Sequence, residues 1–71
     1  MPRKLTFGNH IRNARIQRGL MVAELAERVG VSAQSIYFWE SDHCRPNAEN
    51  LSALCKVLKL PIKMMREMAA A

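Results

Sequence analysis

Seventy-one residues, 49% of them hydrophobic, are enough for one small domain with its own core and too few for several. A formal charge of +5 points to a polyanionic partner, nucleic acid first and an anionic membrane surface second, with a solvated basic surface as the plain alternative. No apolar run approaches the ~20 residues of a membrane span. "MPRKLTFGN" also lacks the apolar stretch of a signal peptide, so the expected place is the cytoplasm, with no membrane partner.

In chain order, residues 1–5 read as a basic arm, 6–69 as one domain and 70–71 as a tail. A first helix is predicted from about Thr6 to Arg18. Thr6 can cap it, Phe7, Ile11 and Ala14 share a face, and Gly19 ends it. A second runs from about Val22 to Val29 on a stripe of Leu25, Ala26 and Val29, with Gly30 as its stop. Ser32 caps a third, from Ala33 to about Ser41. After the loop "DHCRP", a fourth spans about Ala48 to Leu58, with Leu51, Leu54, Cys55 and Leu58 at helical spacing. The last begins at Pro61, a residue suited to a first turn, and reaches about Ala69. Nothing reads as a strand, so the expected fold class is all-α, a compact bundle of five short helices.

Three of the four Phe, Tyr and Trp rings stand in a row, Tyr37, Phe38 and Trp39. One helix cannot turn all three into one core. With ~100° per residue and Ile36 set at zero, Trp39 falls at about 300°, beside Ile36. Tyr37, Gln34 and Phe38 fall at about 100°, 160° and 200°. Ile36 and Trp39 therefore belong to the core, and Gln34, Tyr37 and Phe38 face outward with Ala33 near the edge. An exposed Phe beside an exposed Tyr suggests a partner surface, or else Phe38 packs on a neighbouring loop.

Cys44 and Cys55 are not spaced as C-x-x-C and are expected to be free thiols. A zinc site from His10, His43, Cys44 and Cys55 lacks a compact ligand pair beyond the adjacent His43 and Cys44, so no metal or other cofactor is expected. There is no Ser-His-Asp grouping, and the three glycines stand at helix ends rather than in a phosphate-cradling loop. An enzyme is not expected.

Taken together, "VAELAERVG" and "SAQSIYFWES", joined by "VS", resemble the helix-turn-helix of lambda-type phage repressors and Cro proteins. The resemblance extends over residues 7–68 through "FGNHIRNARIQRGL", "IYFWE" and "RPNAENLSALCKVLKLP". Ala26 is small where the second and third helices cross, Gly30 suits a positive φ between them, and Val31 plugs the corner. The resemblance implies a lambda-repressor-like DNA-binding domain with the third helix in the major groove. Ala33, Gln34, Tyr37 and Phe38 are then the base-facing residues. Val22, Arg45, Asn47 and His43, with Arg3 and Lys4 of the arm, are the expected phosphate contacts. Arg15 and Glu40 match a pair that bridges the first helix to the end of the third. One departure stands out: Met21 and Val22 replace a polar cap followed by Gln, which costs about 1 kcal/mol of local stability.

Three of the five methionines lie in "LPIKMMREMAAA". Ile62 and Met65 can close the core, and Met64, Met65 and Met68 are candidates for a homodimer patch. The implied function is a transcriptional regulator, Cro-like, a restriction-modification controller or part of a longer repressor. It would bind double-stranded DNA at a palindromic operator in the nucleoid and block or touch RNA polymerase. The competing expectation is an antitoxin-type interaction module that uses Tyr37, Phe38 or the Met-rich end.

Overall fold

The computed structural model describes residues 6–70; Arg3 and Lys4 of the expected arm lie outside that range. Five helices follow one another, α1 (Phe7–Gln17), α2 (Val22–Val29), α3 (Ala33–Glu40), α4 (Ala48–Leu58) and α5 (Ile62–Ala70). No strand occurs among the described residues. The bounds of α2 and α4 are those the sequence predicts. Ala70, expected in a tail, completes α5.

The helix starts are set by local side chains. Thr6 accepts from the Asn9 N–H at 3.2 Å, Ser32 from Ser35 at 3.2 Å, and Asn47 from Asn50 at 2.8 Å. At α2 Met21 gives no side-chain cap, but Glu24 reaches back and accepts from the Met21 N–H at 3.0 Å. Half of a capping box thus stands in for the missing polar residue. Gly30 closes α2 at φ 90°, where its N–H and that of Val31 both donate to the Ala26 carbonyl. That tight stop sends the chain straight into α3.

One core joins all five helices, with Phe7, Ile11, Leu25, Ile36, Leu54, Leu58 and Met65 at its centre. Met65 is 0% exposed, so it is a core residue and not part of a dimer patch; Met64 remains exposed and Met68 half-buried on the core's edge. Its long unbranched side chain fills the space between α5 and the rest of the bundle. Arg18 adds a polar tie, donating from Nε to the Leu58 carbonyl at 3.0 Å. It satisfies an end carbonyl of α4, where Lys59 turns left-handed at φ 54°.

Gly8 fixes how α1 meets α3. A Cβ there would lie 2.7 Å from the Trp39 carbonyl oxygen and would overlap the Glu40 carbonyl. The backbone of α1 rests directly on the last carbonyls of α3, and only a residue without a side chain permits it. Gly8→Ala is expected to destabilise the fold by about 1–3 kcal/mol, because backbone on both sides must shift. Thermal melting should read this as a fall of ~4 °C or more. An unchanged melting temperature would mean the two helices separate freely.

Candidate nucleic-acid interface

The buried side of α3 is Ile36 and Trp39, both in the core. The opposite side carries an exposed Gln34, Tyr37 at 58% exposure and Phe38 at 38%. Ala33 sits half-buried against the core, so only part of its methyl faces outward. The row of rings is divided as helical geometry requires, one in and two out.

The segment after α3 folds back on it. The His43 and Cys44 N–H groups donate to the Phe38 carbonyl at 2.9 and 3.4 Å. The imidazole of His43 lies against the Phe38 ring, centroids 5.0 Å apart. Phe38 thus both faces outward and packs on the loop; the two expectations for it are not exclusive. Beyond His43, Arg45 is exposed, with its guanidinium 5.1 Å above the Phe7 ring and Nη1 3.1 Å from Asp42 Oδ1. Asn47 spends its carbonyl oxygen on the α4 cap and keeps its amide NH2 free for another acceptor. His43 and Arg45 thus stand in the loop that folds back past Phe38, and Asn47 opens α4 just beyond it.

The Arg15–Glu40 pair ties α1 to the end of α3. Arg15 Nε donates to Glu40 Oε2 at 2.7 Å and Nη2 to Oε1 at 3.3 Å, a two-pronged contact. Nη1 also donates to the Leu20 carbonyl at 2.8 Å. The side chains are 13% and 8% exposed, so the pair is largely out of water. It holds α1, the turn before α2 and the end of α3 at one point. Val22 packs its side chain against the core, so only its backbone N–H is left to meet a phosphate. Met21 beside it is exposed and apolar.

Both cysteines are free, Cys55 in the core and Cys44 exposed in the loop. Burial pushes the Cys55 thiol up, against the opposing pull of the Arg66 charge. Among the described residues no group of three His, Cys, Asp or Glu side chains is placed to hold a metal ion.

A family model described as helix-turn-helix matches residues 11–64. The chain belongs to the helix-turn-helix family. No curated protein matches it by sequence. Among solved structures it is similar to the P22 c2 repressor in complex with a synthetic operator, with TM-score 0.83 and 35% identity over 87% of this chain and 94% of that one. The DNA-binding domain of the P22 c2 repressor in solution aligns with TM-score 0.80 and 32% identity, covering 100% of this chain and 95% of that one. The biofilm regulator SinR, solved with DNA, has the same fold, with TM-score 0.77 and 24% identity over 86% of this chain and 98% of that one. The N-terminal domain of SinR from Bacillus subtilis also aligns, with TM-score 0.76 and 24% identity over 84% and 88% of the two chains.

Within this helix-turn-helix domain the residue that sequence reasoning misses is Asp42. Oδ2 accepts from the Thr6 hydroxyl at 2.6 Å and Oδ1 from the Gly8 N–H at 2.9 Å, so it caps α1 from the far end of α3. The same oxygen takes Arg45. Its φ of 61° is one that Asp tolerates better than most side chains, and this is the only signal the sequence could have offered. Burial raises the Asp42 carboxyl, but the bonds from Thr6 and Gly8 and the charge and bond of Arg45 together hold it below its ordinary value of 3.8.

Two outcomes are expected. Glu40→Gln leaves Arg15 without its counter-charge and should cost about 3 kcal/mol, the low end for a buried pair. Melting within about two degrees of the parent would make the pair a surface feature. For Asp42 the folded carboxyl is depressed, so its stabilisation is present above the unfolded value and is lost as pH falls through the folded one. The melting temperature should therefore drop from about pH 4 downward, and less steeply in Asp42→Asn. Parallel acid profiles for the two proteins would remove Asp42 from the account.

Proposed function

We propose that the protein is a sequence-specific DNA-binding regulator of transcription. It lays α3 in the major groove and reads a two-fold symmetric operator as a homodimer. The carrying observation is the divided α3, whose core side is complete without Gln34, Tyr37 and Phe38. Those three side chains stand outward with nothing structural left to do except the Phe38–His43 contact. Gln34 can bond an adenine through both ends of its amide, and Ala33 and Phe38 can touch thymine methyls. Arg45, the Asn47 amide and the N-terminus of α4 offer donors to phosphate, and Arg3 and Lys4 add positive charge. The similarity to the P22 c2 repressor bound to an operator supports the same reading.

A single recognition helix spans only a few base pairs. A two-fold dimer with half-sites about one DNA turn, ~34 Å, apart lengthens the site. The exposed Met64 with the accessible part of Met68 is the patch assigned to that contact. A dimer so placed represses by covering a promoter or activates by touching polymerase from beside it.

Binding to mixed-sequence duplex DNA should weaken steeply with salt, with a log–log slope of about −0.9 per phosphate contacted. In a selection from random DNA the parent should return paired half-sites, and Gln34→Ala should lose preference at one position of each. Salt-insensitive binding would leave the interaction-module reading in its place. An unchanged base preference in Gln34→Ala would remove Gln34 from readout.

A further inference from the structure

A helix lying in the major groove has a phosphate strand on each side, since the groove is only ~12 Å wide. The loop after α3 and the start of α4, which carry His43, Arg45 and Asn47, are supplied with donors. The start of α2 shows an exposed Met21 and a half-buried Val22, neither of which has a hydrogen-bonding side chain. A cleft of about 300 Å³ opens between α1 and α3, lined by Arg12, Arg15, Tyr37, Glu40 and Ser41.

The charges in that cleft do not cancel. Glu40 gives both oxygens to Arg15, and Arg15 gives a further donor to the Leu20 carbonyl. Arg12, one turn earlier on α1, is exposed and belongs to no ion pair among the described residues. Ser41 has committed its hydroxyl proton to the Phe38 carbonyl, so it adds no donor. Arg12 and the Tyr37 hydroxyl are what the cleft can offer, one uncompensated cation and one neutral donor. Both suit an anionic oxygen with more than one lone pair exposed.

We propose that this α1–α3 cleft seats a DNA backbone phosphodiester, held by the Arg12 guanidinium and the Tyr37 hydroxyl. The proposal rests on the DNA-binding reading above and deepens it. Tyr37 then belongs to backbone positioning, while Gln34 and Phe38 are left to the bases. Arg12 supplies the side-chain contact that the apolar start of α2 cannot make. It does so from α1, whose position relative to α3 is set by Gly8 and by the Arg15–Glu40 pair.

The test is DNA binding by the full chain against salt, first on mixed-sequence duplex and then on a selected site. Arg12→Ala should lower affinity on both and make the log–log slope shallower by about 0.9, one phosphate's worth. Arg12→Lys should restore the slope, and Tyr37→Phe should weaken binding with the slope unchanged. Base preferences in a random-site selection should stay those of the parent in all three. Lys63→Ala, an exposed cation of α5, controls for net charge. The proposal is overturned if the parent binds with a steep salt dependence while Arg12→Ala matches it, or loses no more than Lys63→Ala. Altered base preference in Tyr37→Phe would place Tyr37 on a base and overturn its assignment. If the parent shows no salt-dependent binding, the DNA-binding reading itself fails and this one goes with it.

Discussion

Arg15 takes hold of both Glu40 oxygens and of the Leu20 carbonyl, and through that one side chain α1, α3 and the turn before α2 acquire a common reference point. A charge pair so far out of water is not a cheap way to gain stability, since desolvation offsets much of the attraction. What it does supply is direction. The planar guanidinium accepts its partners in only a few orientations, so the end of α3 is fixed in rotation as well as in place. Gly8 works with it by letting the α1 backbone rest on the final carbonyls of α3. Asp42 adds a third restraint by capping α1 from just beyond α3. Three contacts of different chemistry thus define the pose of a helix of eight residues, too short to be stable alone.

That division of labour explains what a reader can take from the sequence. Caps, stops and apolar stripes are local, and Thr6, Ser32, Asn47 and Gly30 announce their elements within a few residues of where they act. The two faces of α3 follow from the same short-range geometry. Asp42 to Gly8 and Arg18 to Leu58 are different, because each joins residues 34 or more apart in the chain. No periodicity points to them. Met65 belongs with the local signals in one respect. Its spacing with Ile62 puts it in the core, where the packed bundle has it, and only the alternative that also offered it to a dimer patch falls away.

The interface was legible to a similar depth. The outward set on α3 and the Arg15–Glu40 pair came from spacing and from family resemblance. The apolar start of α2 was visible as a departure, but not its remedy at Glu24, nor the cleft that Arg12 and Tyr37 share across two helices. Val22 and Ala33 show the reverse. Both stand at positions of the expected interface, and both commit much of their small side chains to the core.

The inward half of α3 is occupied by Ile36 and Trp39, which pack in the core with α1 and α2, and the polar restraints on its pose come from α1, the turn and the following loop. Gln34 carries none of that load, and Tyr37 and Phe38 carry little. Changes at these positions can therefore alter the outward face of α3 while the scaffold keeps its shape. If that face reads DNA as proposed, a gene encoding such a domain can drift toward new binding sites by single substitutions, each tested by selection on what it reads rather than on whether it folds.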